Sequence, residues 1–495
     1  MRGVPKLTDL ILVLDAGTTS TRAMAFARDG AIRAVSQCEI AQHYPQPGWV
    51  EHDANEIWMA TLRCARECLS AAGGAQHFAA IGITNQRETV VAWDRTSGEP
   101  LARAIVWQDR RTAGFCDTLR AAGHETAVQH ATGLLLDPYF SATKMRWLLN
   151  YSGEVAAAAQ TGALAFGTVE SWLVWKLTGG AHVSDASNAS RTLLLPLDGA
   201  QFDPALCDLF GIPRAALPQV TDCAGEFGTT TPGLFDVALP ICGLAGDQQA
   251  ATVGQGCNDP GEVKATYGTG AFVLANMGSA LPRSRHRLLG TVLTQLGGQR
   301  TYALEGSVFV AGSLVKWLRD SLGVIASASE TAALAASVPD TGGVILVPAL
   351  SGLGAPHWRP EARAALTGMS FSTTRAHLAR AALEATANQT RDLMDAFAAD
   401  GAPWAALRID GGMSANDWLA QDLANILGIA VERPEMVETT ALGAAMLAAV
   451  GSGWFRGLDE AAKTMRGPVV GFAPGMDAAV RDARLRVWRE AVAKV

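Results

Sequence analysis

The chain has 495 residues, 49% of them hydrophobic, and a formal net charge of −7 at pH 7. This length exceeds what a single hydrophobic core usually supports, so we expect two domains. The acidic balance excludes a broad basic surface for nucleic acid, and no apolar stretch approaches the length of a membrane span. Because no signal-peptide pattern precedes the first apolar run, we expect a soluble cytoplasmic protein.

Segments that resemble strands and helices alternate along the chain, which is typical of an α/β fold. The cysteines form no Cys-x-x-Cys pair and no zinc spacing with histidine, so we expect them to be reduced residues of the core. They are Cys38, Cys64, Cys68, Cys116, Cys207, Cys223, Cys242 and Cys257.

The first predicted element is an apolar strand from Leu10 to Leu14. The turn Asp15-Ala16-Gly17-Thr18-Thr19-Ser20 follows it, and a returning strand runs from Thr21 to Phe26. A Walker loop would carry Gly-Lys-Ser/Thr and open a helix, and a dinucleotide fingerprint would need a third spaced glycine. The strand-turn-strand order therefore disfavours both motifs. The turn is either a backbone cradle for a phosphate or an ordinary hairpin with a polar tip.

The residues of this first turn suit a phosphate group. Gly17 lets the backbone approach the ligand closely, and Arg22 adds a fixed positive fork. Asp15, at the mouth of the turn, is a hard oxygen ligand suited to a magnesium ion that keeps most of its waters. The hydroxyl and amide donors to the phosphate are those of Thr18, Thr19 and Ser20.

Adjacent opposite charges follow the strand-like run Ile81-Gly82-Ile83. Arg87 donates and Glu88 accepts hydrogen bonds, which suits the neighbouring hydroxyls of a polyol. The alternative is a surface ion pair, the usual role of Arg next to Glu. Aromatic side chains would cover the carbon face of the same substrate, although each of them could instead be part of the core. They are Trp107, Tyr139 and Phe272.

The stretch Leu244-Ala245-Gly246-Asp247-Gln248-Gln249 places a carboxylate where an apolar run ends and a helix of small residues starts. Phosphoryl transfer to an alcohol needs a carboxylate within reach of the attacking hydroxyl, and Asp247 is the candidate base. The commoner role of Asp at such a position is a helix N-cap. Glycine, Asn, Asp and Pro cluster soon afterwards at residues 252–260 and predict a boundary between domains 1–252 and 253–495.

A second turn, Tyr267-Gly268-Thr269-Gly270, lies between strand-like runs at residues 262–266 and 271–275. Thr269 and Gly270 would offer a second backbone cradle. Each half of the chain therefore starts with a similar hairpin, as expected after an internal duplication. A nucleotide held between two matching hairpins implies a two-lobed phosphotransferase.

A third turn, Asp410-Gly411-Gly412, follows the strand-like run from Leu407 to Ile409. The glycines would direct the N-terminus of the next helix, with its free amide groups, towards a ligand. The alternative is a tight strand-to-helix connection without a ligand. The helix is predicted by the spacing of Leu419, Leu423, Ile426 and Leu427.

Longer motifs resemble those of the FGGY carbohydrate kinase family, from about residue 10 to about residue 450. Sequences similar to both family signatures are present, at residues 139–150 and 364–384. Within the family, residues 44–53, 82–89 and 188–192 resemble the glycerol kinases more than the pentulose or hexulose kinases.

This resemblance implies two actin-like, ribonuclease-H-like ATPase domains that close on ATP and Mg²⁺ in an interdomain cleft. The implied reaction is ATP-dependent phosphorylation of glycerol to sn-glycerol 3-phosphate, with Asp247 as the general base. The implied glycerol-binding residues are Arg87, Glu88, Trp107, Tyr139, Asp247, Gln248 and Phe272.

The resemblance also implies that Asp15 and Asp247 orient the magnesium ion. Lys316 stands where many relatives have Gln near the nucleotide, while Glu170 and Ala142 replace an Asp and a Gly of the family pattern. The implied nucleotide-binding residues are Thr18, Thr19, Ser20, Arg22, Thr269, Gly270, Gly312, Lys316, Gly412 and Asn416.

Residues 215–263 contain no Lys or Arg. Family members inhibited by fructose 1,6-bisphosphate are expected to bind it through a basic loop there, so we predict that this chain is insensitive to that effector. Members of the FGGY family are often dimers or tetramers, so the resemblance implies a homo-oligomer. Two alternatives stay open: a kinase of another polyol or ketose, such as erythritol or xylulose, and a non-catalytic actin-like nucleotide switch.

Overall fold

The computed structural model describes residues 9–359 and 361–495. In the first half of the chain the strands are β1 (Leu10–Ala16), β2 (Ser20–Ala27), β3 (Ile32–Glu39), β4 (Glu51–His52), β5 (Phe78–Asn85), β6 (Val91–Asp94), β7 (Ala104–Ile105), β8 (Leu164–Gly167), β9 (Val183–Asp185), β10 (Gln219–Thr221) and β11 (Ile241–Gly246). The helices are α1 (Ala54–Ala71), α2 (Ala113–Ala121), α3 (Glu125–Thr132), α4 (Ser141–Tyr151), α5 (Gly153–Thr161), α6 (Val169–Thr178), α7 (Ala186–Ala189), α8 (Pro204–Phe210) and α9 (Asp247–Gly254). Short 3₁₀ helices lie at Ala75–His77 and Arg214–Ala216.

The first sheet has the strand order β11-β5-β1-β2-β3. Strand β2 is antiparallel to both β1 and β3, whereas β5 and β11 continue the sheet in parallel. Every residue of β1 is buried, which is typical of a central strand covered on both faces. Helix α1 packs against β1, β2 and β3 on one of these faces and begins after Asp53, whose side chain accepts hydrogen bonds from the amides of Asn55 and Glu56.

The second half of the chain continues the alternation. Its strands are β12 (Val263–Tyr267), β13 (Ala271–Gly278), β14 (Leu289–Leu296), β15 (Gln299–Val308), β16 (Ile345–Val347), β17 (Ala365–Thr367), β18 (Ala406–Asp410), β19 (Ala430–Pro434) and β20 (Val469–Phe472). Its helices are α10 (Gly312–Asp320), α11 (Glu330–Ala336), α12 (Arg375–Ala399), α13 (Asp417–Leu427), α14 (Thr439–Gly451), α15 (Leu458–Met465) and α16 (Ala478–Val492), with a 3₁₀ helix at Gly412–Ala415.

The second sheet has the order β14-β15-β13-β12-β18-β19-β20. Strand β13 is antiparallel to both β12 and β15, whereas β18 and β19 continue the sheet from β12 in parallel. The part β15-β13-β12-β18-β19 thus repeats the first sheet's β3-β2-β1-β5-β11. This repeated topology is what the predicted internal duplication requires, and it places the hairpins β1–β2 and β12–β13 at equivalent positions.

Helices α9 and α14 cross between the two sheets. Helix α14 packs on β11, β5 and β1 of the first sheet, although it follows the second sheet in the chain. The crossing is close because glycines lie at the contact: a Cβ on Gly443 would overlap the carbonyl oxygen of Ala250, and one on Gly254 would overlap that of Thr439. These helices join the two halves, so the cleft opens between elements that share one tightly packed crossing.

The C-terminal segment contributes to both halves. Helix α15 packs on α14 and α9, and its Met465 belongs to the same core as Ile11 of β1. Strand β20 instead pairs with β19 of the second sheet, and Leu485 and Trp488 of α16 pack in the cores of the second half. Residues 455–495 therefore divide between the two halves.

We expect the variant Gly443→Ala to lose about 1–3 kcal/mol of unfolding free energy, because the added methyl group has no room against Ala250. Urea denaturation checks this. The matched control is Gly114→Ala on α2, where a Cβ meets no atom within 4 Å and alanine favours the helix. Equal stability of the two variants would contradict the close crossing of α9 and α14.

The eight cysteines are buried free thiols, as the sequence predicts.

Across residues 9–359 and 361–495, no helix combines the length and apolar character needed to cross a membrane.

Candidate active site

The first hairpin has the strand-turn-strand form predicted from the sequence. Strands β1 and β2 pair in register, with Asp15 opposite Arg22, and the amide of Gly17 donates to the carbonyl of Ser20 at 3.0 Å. The Arg22 guanidinium donates through Nη2 to Asp15 Oδ2 at 2.6 Å and through Nη1 to Glu438 Oε2 at 2.7 Å. Burial raises the pKa of Asp15, and Arg22 opposes this rise. Arg22 therefore links the hairpin to the residue that precedes α14.

The second hairpin also has the predicted form. The amide of Gly268 donates to the carbonyl of Gly270 at 2.9 Å, and the first amide of α10, from Gly312, donates to the carbonyl of Gly268 at 2.9 Å. A Cβ at Gly270 would overlap the Val308 carbonyl oxygen, and one at Gly312 would lie 2.5 Å from the Gly268 oxygen. Only glycine fits at both positions, and this allows the start of α10 to lie directly against the second turn.

Trp107 lies between the two hairpins. Its indole Nε1 donates to Thr18 Oγ1 of the first turn at 3.0 Å. Its ring centroid lies 6.2 Å from that of Phe272, which immediately follows the second turn on β13, and 5.8 Å from that of Tyr139. The aromatic side chains predicted for one substrate face therefore do form one wall, and this wall contacts both hairpins.

Arg87 lies at the centre of a buried network of charges beside this wall. Its side chain is 2% exposed, and its Nε lies 3.2 Å from Asp247 Oδ1. Its Nη1 donates to Glu305 Oε2 at 2.6 Å and its Nη2 donates to Tyr139 Oη at 3.2 Å. One guanidinium thus positions a carboxylate at the start of α9 and a phenol of the aromatic wall.

Asp247 combines a local backbone contact with a position in the cleft. Its Oδ1 accepts from the amide of Gln248 at 2.7 Å, while its side chain stays 33% exposed. Burial raises the pKa of Asp247, and Arg87 and Lys264 oppose this rise. The charge of Asp15 raises the same pKa further, so the two carboxylates lie within electrostatic reach of each other.

The surface ion pair considered for Arg87 and Glu88 is wrong, because both side chains are buried. Glu88 has a positive φ of 61° and its Oε1 accepts from Arg191 Nε at 2.7 Å, whereas Arg87 Nε is 4.0 Å away. Arg191 also donates through Nη2 to Glu305 Oε1 at 2.9 Å. The acidic side chains and arginines thus alternate, and Glu88 is held by a residue more than a hundred positions away.

Sequence reasoning missed three charged residues of this site. Arg191 and Glu305 are fully buried in the network, and Lys264 Nζ donates to Gln248 Oε1 at 2.5 Å and Thr266 Oγ1 at 2.7 Å. Burial alone would raise the pKa of Glu305, but Arg191 and Arg87 outweigh it and bring the pKa to about 2. A signal was present, because Lys264 is the one charged residue of β12 and Glu305 lies in the apolar half of β15.

Glu170, which departs from the family pattern, lies behind the network. Its side chain is fully buried and accepts from the hydroxyls of Thr168 at 2.5 Å and Ser184 at 2.6 Å. Its Oε2 accepts from the side-chain Nδ2 of Asn85 at 3.0 Å, so it holds the last residue of β5, just before Arg87. Burial and the nearby charge of Asp185 raise the pKa of Glu170 to about 7.

The remaining predicted residues lie on α10, on the 3₁₀ helix Gly412–Ala415 and at the start of α13. Gly411 has a φ of 87° and packs so closely that a Cβ would overlap the backbone of Tyr267. Gly412 starts the 3₁₀ helix that follows, and Asn416 caps α13 by accepting from the amide of Leu419 at 3.1 Å. Lys316 is exposed on α10, one turn after Gly312.

The acidic side chains fit a magnesium ion that takes few protein ligands. Among the described residues, no group of three or more His, Cys, Asp and Glu side chains is arranged to hold a metal. Asp15 and Asp247, which repel each other electrostatically, offer hard oxygen atoms within electrostatic reach of each other. Magnesium commonly binds one or two carboxylates together with substrate phosphates, and this donor set fits that chemistry.

These features define a two-domain α/β protein with a polar cleft between duplicated hairpins. The N-terminal domain of the FGGY family of carbohydrate kinases matches residues 10–254, and the C-terminal domain of that family matches residues 263–452. The chain therefore belongs to the FGGY family of carbohydrate kinases.

Within this family, the relatives include the glycerol kinase of Rhodospirillum rubrum, which is 55% identical over 489 residues and covered to 98% in both chains. The glycerol kinase of Methylobacterium nodulans is 54% identical over 492 residues, also with 98% of each chain covered. The solved Plasmodium falciparum glycerol kinase with ADP has a TM-score of 0.92 and 35% identity over 98% of each chain. A solved xylulose kinase from Lactobacillus acidophilus, with a TM-score of 0.87 and 21% identity over 97% of each chain, shares the fold.

Proposed function

We propose that this chain transfers the γ-phosphoryl group of ATP to a terminal hydroxyl of glycerol, giving sn-glycerol 3-phosphate and ADP. The observation that carries the proposal is the position of Asp247: its partly exposed carboxylate is held 3.2 Å from Arg87, beside an aromatic wall that touches both hairpins. The glycerol kinases to which the chain is 55% and 54% identical agree with this reaction.

The glycerol site in this proposal uses the buried charges for the hydroxyls and the wall for the carbons. Arg87 donates to hydroxyl oxygens and Glu88 accepts from hydroxyl protons, while Tyr139, Asp247 and Gln248 complete the polar side. Trp107 and Phe272 pack against the carbon atoms. Because Arg191 and Glu305 hold Arg87 and Glu88 in place, the acceptor meets groups that are already oriented.

Asp247 acts as the general base. Its carboxylate accepts the proton of the attacking hydroxyl as the bond to phosphorus forms. The raised pKa makes Asp247 a stronger base than an ordinary Asp. Phosphoryl transfer has a loose transition state, so alignment and charge neutralisation supply most of the acceleration.

The nucleotide lies across the two hairpins in this proposal. Asp15 and Asp247 would hold the magnesium ion, which would neutralise charge on the phosphate oxygens. Each hairpin supplies part of the phosphate site, so closure of the lobes about α9 and α14 should accompany binding. The β- and γ-phosphates are held by Thr18, Thr19, Ser20, Arg22, Thr269 and Gly270, and the rest of the nucleotide is bordered by Gly312, Lys316, Gly412 and Asn416.

A panel of acceptors with Mg-ATP tests the reaction. ADP formation is followed with glycerol, erythritol and xylulose, and kcat/KM is expected to be highest for glycerol because the relatives that share more than half of their residues with this chain are glycerol kinases. A higher kcat/KM for a longer polyol or ketose would overturn the glycerol assignment. ATP consumption that no acceptor stimulates would instead favour the nucleotide switch.

Fructose 1,6-bisphosphate should leave the turnover of glycerol unchanged. The segment 215–263 contains no Lys or Arg to bind two phosphate groups. Titration of the effector at fixed glycerol and ATP measures the effect, and inhibition at physiological concentration would refute this prediction.

The domain boundary at 252/253, the cytoplasmic location and the homo-oligomeric state stay predictions.

A further inference from the structure

Two thiols lie in contact behind the first hairpin. Cys38 is on β3 and Cys64 is on α1, and the thiol of Cys64 donates to Cys38 Sγ at 2.9 Å. The two side chains are 4% and 0% exposed. A disulfide bond is about 2.05 Å long, so the sulfur atoms need to close by roughly 0.9 Å to form one. The core therefore brings together a pair of cysteines that is far apart in sequence.

A cation faces one of these sulfur atoms. Arg63 donates to Cys38 Sγ through Nε at 3.0 Å and through Nη2 at 2.6 Å, and its own side chain is 65% exposed. Arg63 therefore places a positive charge directly against the Cys38 sulfur. Burial raises the pKa of the Cys64 thiol to about 12, so Cys64 keeps its proton at neutral pH. The pair thus combines one sulfur that faces a cation with a second thiol that is fully buried.

We propose that Cys38 and Cys64 form a modification site, a dithiol that hydrogen peroxide converts to an intrachain disulfide. The Cys38 sulfur attacks one oxygen of the peroxide and the O–O bond breaks. The Cys38 proton goes to the leaving hydroxide, so Cys38 sulfenic acid and one water form. The Cys64 sulfur then attacks the sulfenic sulfur, its proton goes to the leaving hydroxyl, and water departs. In total, two thiols are oxidised by two electrons and one peroxide is reduced to two waters.

The disulfide acts on the first hairpin through Thr21. This residue pairs with Cys38 across β2 and β3, and its carbonyl accepts from Cys64 Sγ at 3.7 Å. Thr21 lies between Ser20 and Arg22, so movement of the two sulfur atoms displaces the strand that carries them. This consequence rests on the proposed function, and we expect oxidation to raise the KM for ATP by about tenfold, since sub-ångström shifts disturb phosphate alignment.

Peroxide treatment followed by peptide mapping under non-reducing conditions tests the site. The expected result is a cross-linked peptide pair containing Cys38 and Cys64, loss of two of the eight free thiols, and recovery of both with dithiothreitol. The variants Cys38→Ser and Cys64→Ser should each abolish the cross-link. The matched control Cys207→Ser, on α8, should retain it, and Arg63→Gln should slow its formation.

A wild-type chain that keeps both thiols free in excess peroxide, or that pairs Cys38 with another cysteine, overturns the modification site. A disulfide that forms without a change in the KM for ATP overturns the coupling to the hairpin. Absence of glycerol phosphorylation in the fully reduced chain contradicts the proposed function instead, and the peptide map still decides on the dithiol.

Discussion

Replacement of Asp247 by Asn is expected to lower kcat for glycerol phosphorylation by roughly 10²–10⁴-fold, the range of general base catalysis. Asn keeps the size of the side chain and its contact with the amide of Gln248, but it accepts no proton at neutral pH. Glycerol binding should change little, because Arg87 and Glu88 stay in place through Glu305 and Arg191. The loss therefore falls on kcat and not on substrate affinity.

Steady-state kinetics and a direct glycerol titration separate these two effects. The control Asp482→Asn makes the same change on the exposed surface of α16 and should behave as wild type. In the wild type, kcat/KM should fall as the pH falls through the pKa of Asp247, and the raised pKa places this fall above the range of an ordinary Asp. Wild-type turnover in Asp247→Asn would remove this carboxylate from the mechanism.

Local sequence patterns predict the hairpins well, because their signal is contained in a few consecutive residues. Gly17 with its neighbouring Thr residues, and Gly268 with Gly270, are recognisable turns between apolar runs, and both turns have the predicted form. The alternation of strands and helices similarly predicts the α/β class. The family resemblance is confirmed by matches over both halves of the chain.

Long-range pairing is the part of the site that local patterns do not contain. Arg87 and Glu305 are 218 positions apart, and Arg191 and Glu305 are 114 apart. A charge inside an apolar strand indicates a buried partner, but it does not identify that partner. The same holds for α14, whose apolar residues predict a buried helix without indicating that it returns to the first sheet. Both features depend on how the duplicated sheets pack.

The variant Glu305→Gln is expected to lose roughly 3–5 kcal/mol of unfolding free energy, the usual cost of breaking a buried ion pair by removing one partner. Glu305 is fully buried, and its two oxygens accept from Arg87 Nη1 at 2.6 Å and Arg191 Nη2 at 2.9 Å. The amide that replaces the carboxylate keeps one acceptor oxygen, but its N–H donors face the guanidinium groups of the arginines. The change also removes the ion pair that holds Arg87, so kcat/KM for glycerol should fall together with the free energy of unfolding.

The pH dependence of stability gives this prediction a distinct signature. The pKa of Glu305 is about 2 in the folded chain against an ordinary value of 4.5. Because the folded pKa is depressed, the stabilisation is present above about pH 4.5 and is lost as the pH falls towards 2. The difference between wild type and Glu305→Gln in urea denaturation should therefore be largest at neutral pH and shrink in acid.

Two further variants separate a buried ion network from the mere loss of a carboxylate. Asp320→Asn breaks a pair with Arg319 of the same 2.6 Å length, but its partners are 43% and 42% exposed. Its cost should be small, because solvent screens an exposed ion pair. Arg191→Met should be as destabilising as Glu305→Gln, because it removes the cation that Glu88 and Glu305 share. If Glu305→Gln costs no more than Asp320→Asn, the alternating charges do not hold Arg87 in place, and the preorganised acceptor site has no structural basis.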